Sequence, residues 1–212
     1  MIFDLDGVIV STDEYHYLGW QRMADEEGIY FDRQINERLK GVSRMESLDI
    51  ILEKSKKVYS EDQKTEMATR KNNYYKEFLS TELTPNNILP GVMSVLKELK
   101  QNGIKIAIGS SSRNSPSILK QIGLDNYFDA TADGNDIKKS KPDPEVFLLA
   151  AKRLGLKPDE CLVVEDAEAG ISAALAGGMK ALAVGSAVLD NRAHLSAKDL
   201  SKITVKQMID IS

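Results

Sequence analysis

Asp4 and Asp6 stand two residues apart near the start of the chain, in the run Ile-Phe-Asp-Leu-Asp-Gly. Two residues of extended backbone put both carboxylates on one side, and Gly7 lets the chain turn away without a Cβ clash. One carboxylate can attack an electrophile while the other moves protons. Attack on a phosphoryl group would leave an aspartyl phosphate, an acyl phosphate reactive enough to pass its phosphoryl group to a hydroxyl or to water. The transition state of that reaction carries charge on its peripheral oxygens, so it needs positioning and positive charge more than covalent help. Three further segments hold groups of this kind: Ser110 to Asn114, Lys141 in Ser-Lys-Pro-Asp-Pro, and the pair Glu165-Asp166. Ser110 offers a hydroxyl and Lys141 a cation. Asp4 with Glu165 and Asp166 offers the carboxylate oxygens that Mg²⁺ takes into a near-octahedral shell while keeping several waters.

Such a set is useful only if the fold gathers it. From about residue 90 onward, strand and helix patterns alternate. Val92, Val95, Leu96 and Leu99 follow helical spacing after Pro90, with Asn102-Gly103 as the stop. IKIAI at 104–108 reads as a strand, a helix carrying Ile118, Leu119 and Ile122 ends at Gly123, and YFDATA at 127–132 reads as a strand. Val146, Phe147, Ala150 and Leu154 form the next helical stripe before Gly155; strand CLVV, a helix through AEAGISAALA and strand ALAV follow. The alternation predicts an α/β fold with a parallel sheet covered on both faces. In such sheets ligands bind outside the carboxyl ends of the strands, and IFDL, IKIAI and CLVV each lead directly into one of the polar segments. Taken singly, a DxDG is a solvated turn, a serine-rich loop a helix cap and an acidic pair a surface feature. Their joint order after strands favours one site. An EF-hand reading of DLDG fails, because the glycine stands at position four of the loop instead of six.

Residues 15–86 break the alternation and read as helical almost throughout. Met45, Leu48, Ile51 and Leu52 share a helix face, and Ser60-x-x-Gln63 is a capping box that opens a helix running towards Phe78 and Leu79. The expectation is a core domain of residues 1–14 and 87–212 with a helical domain of residues 15–86 inserted, hinged near 12–15 and at Thr84-Pro85-Asn86-Asn87. Trp20, at helical spacing from Tyr17, is expected in the core of the insertion.

Composition narrows the partners. A net charge of -4 argues against nucleic acid or an anionic membrane, both of which recruit basic faces. No stretch approaches the roughly 18 apolar residues of a membrane span. Cys161 is the only cysteine, which excludes an intramolecular disulfide and a cysteine metal cage and reads as a buried, inert thiol. Met1 to Phe3 supply neither the basic nor the apolar region of a secretory signal, and a cytoplasmic location is expected.

With these motifs in this order along nearly the whole chain, the sequence resembles the haloacid dehalogenase superfamily. The segments DLDGVIVSTDEYH, NERLKGVSRMESL, RKNNYY and SSSRN resemble its β-phosphoglucomutase branch more than its general phosphatases. The resemblance implies a Rossmann-like core with an inserted helical cap. It implies a Mg²⁺-dependent interconversion of β-glucose 1-phosphate and glucose 6-phosphate through an aspartyl-phosphate enzyme and glucose 1,6-bisphosphate. By position, Asp4 resembles the nucleophile and Asp6 the acid and base, with Asp4, the Asp6 backbone carbonyl, Glu165 and Asp166 around Mg²⁺. Ser110 and Lys141, with Ser111 beside them, resemble the residues about the transferring phosphate. Arg44, Ser112, Arg113 and Asn114 resemble a clamp on the second phosphate. His16, Lys40, Gly41, Ser43, Ser47 and Lys71 would line the sugar side, His16 orienting Asp6, and Thr12 would be the hinge contact. Ser11 departs from the branch, where an acidic residue is expected, and so does Arg113, where a lysine is expected.

The expected partner is a small sugar phosphate and the expected state a monomer. The nearest competing reading is a sugar-phosphate or phosphoglycolate phosphatase on the same core. A non-catalytic module on this fold would have lost residues among Asp4, Asp6, Lys141 and Asp166, and all four are present.

Overall fold

In the computed structural model, which describes residues 1–39 and 43–211, six short strands share one sheet. They are β1 (Ile2–Phe3), β2 (Ala107–Gly109), β3 (Ala130–Ala132), β4 (Leu162–Glu165), β5 (Lys180–Ala183) and β6 (Leu195–Ser196). Their order is β3-β2-β1-β4-β5-β6 and every pairing is parallel. The order reverses between β1 and β4, and parallel sheets bind ligands at the carboxyl edge of such a switch. Register does the rest. Phe3 pairs with Ile108 on one side and Val164 on the other, so Asp4, Gly109 and Glu165 lie at one level where these strands end.

Several strands are shorter than the sequence pattern predicts, for identifiable reasons. The Leu5 carbonyl accepts from the Ile9 and Val10 amides, so β1 turns after Phe3 instead of continuing through Leu5. Ile104 donates to Leu99 and Ile106 to the Asp129 carboxylate, which removes the first half of IKIAI from the ladder. Tyr127 donates to Leu124 in a turn, which delays β3. Strand β6 was not expected; it forms because β5 has an open edge that Leu195 and Ser196 pair with.

Helices α5 (Val92–Gln101), α6 (Ser115–Gln121), α7 (Glu145–Leu154), α8 (Glu168–Ala176) and α9 (Val205–Ile209) accompany the sheet. Ile2, Ala107, Val163 and Ala181, in register, point to one face and meet Val146, Phe147 and Ala150 of α7 and Ile171 and Ala174 of α8. Their neighbours Phe3, Ile108, Val164 and Leu182, which alternate to the opposite face, are also fully buried. On α5 the expected stripe of Val92, Val95, Leu96 and Leu99 is buried, each side chain contributing about 1.5–3 kcal/mol relative to exposure. Cys161 is buried, with its Sγ 3.4 Å from the Lys157 carbonyl, and burial pushes its thiol pKa up.

The chain divides into two compact units: Met1–Ser11 together with the chain from Thr84 onward, and Thr12–Leu83. The second unit contains α1 (Asp13–Glu27), α2 (Arg33–Glu37), α3 (Arg44–Leu52) and α4 (Glu61–Glu82). Its core holds Trp20, Met23, Ile35, Leu48, Ile51 and Met67. The Ser60 and Gln63 capping box opens α4, and Ser43 with Glu46 makes a second one at α3. Met45 departs from the expected shared face: it lies in the first turn of α3 and is 37% exposed. Among the described residues no helix is long and apolar enough to cross a membrane.

Candidate active site

Asp4 leaves β1 with its amide bonded to the Val164 carbonyl at 3.0 Å, which seats its carboxylate beside the end of β4. Only 7% of the residue is exposed. Lys141, reaching in from the loop before α7, donates to Asp4 Oδ1 at 2.6 Å and to Glu165 Oε1 at 2.5 Å. Its ammonium also sits 4.6 Å from the centre of the Phe147 ring. The second Glu165 oxygen accepts the Ala167 amide at 2.9 Å. A charge-assisted pair of bonds of this kind fixes position as well as charge. Lys141 is thereby held between the two carboxylates, and Glu165 acts as its tether.

Ionisation in this cluster is finely balanced. Burial pushes the Asp4 carboxyl up to about 7; the charges of Glu165 and Asp6 push the same way, and Lys141 opposes them. Lys141 is displaced above its ordinary value: burial works against its charge, but Asp4 and Glu165 outweigh it. One carboxylate oxygen each from Asp4, Glu165 and Asp166 lies within 4.8 Å of the others. An all-oxygen donor set with more carboxylates than the single ammonium balances suits a hard divalent cation such as Mg²⁺. Gly7 has φ +81°, and a Cβ there would fall 2.1 Å from Asp166 Oδ2, so the turn after Asp6 and the Asp166 carboxylate require glycine between them.

Ser110 follows β2, 3% exposed, with its amide on the Ala132 carbonyl. Its Oγ accepts the Ser112 amide at 3.2 Å, and Ser112 Oγ accepts the Asn114 amide at 3.2 Å. Each hydroxyl accepts from the residue two positions on and retains its own proton to donate. Ser111 Oγ accepts the Lys141 amide at 3.4 Å, tying the serine loop to the lysine loop. Arg113 donates from Nε to the Gly134 carbonyl at 3.2 Å, so its departure from lysine has a structural use.

The helical unit assembles its own polar cluster. Lys71, only 3% exposed, places Nζ 2.7 Å from His16 Nδ1, 4.8 Å from the Trp20 ring centre and 5.1 Å from that of Tyr75. Burial holds the His16 pKa well below its ordinary value, and the charges of Lys71 and Arg44 add to the effect. His16 is therefore neutral, with Nδ1 accepting from the ammonium and the proton on Nε2. The imidazole stacks on Tyr75 at 4.0 Å, and the Tyr75 hydroxyl lies 2.9 Å from Oγ1 of fully buried Thr12. Arg44 donates to Asn72 Oδ1 at 3.0 Å. Ser47 is buried, whereas Ser43 is exposed and its side chain caps α3. Lys40 and Gly41 lie outside the described residues.

Sequence reasoning missed Tyr75, Asn72 and Gly170. The first two sit in RKNNYY, whose helical spacing puts Lys71 and Tyr75 one turn apart, and that was the available signal. Gly170 interrupts the helix AEAGISAALA; a Cβ there would fall 1.9 Å from Glu165 Oε1. A glycine inside an otherwise strong helix marks such a close approach.

Known proteins match along nearly the full length. The model of the haloacid dehalogenase-like hydrolases matches residues 1–178. A β-phosphoglucomutase of Bacillus subtilis (strain 168) is 45% identical over 208 residues, spanning 97% of this chain and 92% of its own. A crystal structure of a β-phosphoglucomutase from Clostridium difficile is 43% identical and superposes with a TM-score of 0.87, covering 99% of this chain and 94% of that one. A fructose-1-phosphate phosphatase of Escherichia coli (strain K12) is 32% identical over 87% of this chain and 95% of its own.

Proposed function

Because the chain belongs to the haloacid dehalogenase-like hydrolase family, we propose that it interconverts β-glucose 1-phosphate and glucose 6-phosphate through an aspartyl-phosphate enzyme and glucose 1,6-bisphosphate. The observation that carries this reading is the 45% identity with a β-phosphoglucomutase over 97% of the chain. Asp4, the Asp6 backbone carbonyl, Glu165 and Asp166 would hold Mg²⁺. When bound, the ion supplies positive charge to the peripheral phosphoryl oxygens and favours the ionised form of Asp4.

The residues then divide the work. The Asp4 carboxylate attacks the phosphorus of a sugar bisphosphate, the bond from phosphorus to the sugar oxygen breaks, and Asp6 delivers a proton to that oxygen. In the return half-reaction Asp6 removes the proton from the sugar hydroxyl, which attacks the phosphorus on Asp4. Lys141 and the Ser110 hydroxyl hold the phosphoryl group in flight. Ser112, Arg113 and Asn114 bind the phosphate that is not reacting, and Arg44 is the residue of the helical unit assigned to that same phosphate. His16, Lys71 and Ser47, with Lys40 and Gly41, serve the sugar. On this reading the protein is a cytoplasmic monomer acting on a small sugar phosphate.

A coupled assay for glucose 6-phosphate tests it, with α- or β-glucose 1-phosphate as substrate and with or without a bisphosphate primer. The expected result is primer-dependent turnover of the β anomer. Rapid hydrolysis of many phosphomonoesters with no glucose 6-phosphate would replace the mutase by a phosphatase.

A further inference from the structure

The turn at residues 133–136, Asp-Gly-Asn-Asp, lies outside the catalytic cluster and carries none of the roles above. Three hydrogen bonds join it to the serine loop. The Gly134 amide donates to the Ser112 carbonyl at 3.2 Å, Arg113 Nε donates to the Gly134 carbonyl at 3.2 Å, and Asn135 Nδ2 donates to the Arg113 carbonyl at 3.0 Å. The two backbones are in direct contact: a Cβ on Gly134 would lie 2.3 Å from the Ser111 carbonyl oxygen and 2.8 Å from the Arg113 amide nitrogen.

The turn is itself rigidly held. Asp133, 7% exposed, accepts the Asn135 amide at 2.7 Å and Asn135 Nδ2 at 2.9 Å, while its own amide donates to Asp136 Oδ2 at 3.0 Å. Arg153 of α7 grips the Asp136 carboxylate with both terminal nitrogens, at 2.7 and 2.8 Å, and also donates to the Thr131 carbonyl. A planar fork on a carboxylate fixes orientation in a way a single ammonium does not. A continuous strut thus runs from α7 through Arg153, Asp136 and Asn135 to the main chain of Ser112 and Arg113.

We propose that this strut is a positioning device for the second phosphate: Asn135 and Gly134 hold residues 112–113, and Arg153 anchors them. The proposal rests on the function given above. With Nε occupied by Gly134, Arg113 meets an anion with its two terminal nitrogens, and the direction of that fork is set by the turn. A site held within a few tenths of an ångström by such supporting bonds loses binding quickly when they are cut.

The test compares two phosphodonors on the full-length protein with Mg²⁺. Acetyl phosphate carries one phosphate and calls only on the Asp4 cluster, whereas β-glucose 1,6-bisphosphate calls on the second site as well. Asn135→Ala is expected to raise KM for the bisphosphate by about fivefold to tenfold, the loss of about one hydrogen bond. Its kcat/KM for acetyl phosphate should stay within about twofold of wild type, a split that general loosening of the fold would not produce. Arg153→Met should show the same split and Arg153→Lys a smaller one. Gly134→Ala should show the largest effect or fail to fold, and Asn135→Ala decides the matter in either case. An unchanged bisphosphate KM, or equal losses on both donors, would overturn the proposal. If wild type consumes the bisphosphate but makes no glucose 6-phosphate, the mutase reading fails while the KM split still decides the strut.

Discussion

Replacing Lys141 by methionine keeps most of the side-chain volume and removes the ammonium that bridges Asp4 and Glu165 at 2.6 and 2.5 Å. Two consequences follow. The Asp4 carboxyl, already up to about 7, loses the charge that opposes its protonation and should rise further. Without metal, a smaller share of Asp4 would then be ionised at neutral pH. Separately, the transferring phosphoryl group loses a preorganised cationic donor, an effect worth about 10²–10³ in rate. Bound Mg²⁺ lessens the first effect without cancelling it, and leaves the second untouched. Single-turnover phosphorylation of Asp4 by acetyl phosphate at saturating Mg²⁺, followed from about pH 6 to about pH 9.5, separates the two. The alkaline plateau should drop by about 10²–10³, and the acidic limb should move to higher pH. A plateau within about tenfold of wild type, or a limb that does not move, would refute the assignment of Lys141 to both tasks.

Three further outcomes can be checked. Gly170→Ala adds a Cβ that would stand 1.9 Å from Glu165 Oε1; helix propensity alone predicts a stabilisation of about 1 kcal/mol, whereas displacement of Glu165 predicts a lower Tm and at least about a tenfold loss of turnover, so a higher Tm with full activity would contradict the tether role. The protonated form of Asp4 does not ligate a cation, so the apparent Mg²⁺ affinity by calorimetry should be flat above about pH 7 and weaken by up to about tenfold per pH unit below it; a flat profile throughout would mean that Asp4 is not a ligand. Lys71→Met removes a like charge from His16, whose pKa is held down by burial and by the charges of Lys71 and Arg44, so NMR titration of the His16 ring should show the pKa rising, and an unchanged or lower value would contradict the Lys71 contact.

The chemistry-bearing pairs were legible because they sit where pattern alone is strong. DLDG and Glu165-Asp166 each follow an apolar run of β type, and parallel topology brings such strand ends together wherever they fall in sequence. Ser60-x-x-Gln63 is legible as a cap, and Ser43-x-x-Glu46 carries the same signal, so that the Ser43 side chain caps α3. Lys71 illustrates what a local pattern cannot give. A lysine between Arg70 and Asn72 reads as surface charge, and its burial depends on Trp20 and His16, more than fifty positions away. The strut at residues 133–136 is of the same kind: its polar residues read as a solvated turn, and only the pairing of β2 with β3 sets them against the serine loop. Strand lengths were overestimated because side-chain and turn hydrogen bonds at Leu5, Ile106 and Tyr127 take backbone groups away from the ladder.

Whether Asp4 carries the phosphoryl group between sugars is tested most directly by a pulse and chase. Protein is labelled with radioactive phosphate from β-glucose 1,6-bisphosphate, quenched in acid and mapped by peptide, then in a second sample chased with unlabelled β-glucose 1-phosphate. The expected result is acid-stable label on the Asp4 peptide, absent in Asp4→Asn, that passes on chase into glucose bisphosphate and glucose 6-phosphate. Label that never appears on Asp4, or that leaves only as inorganic phosphate whether or not the sugar is added, would contradict it.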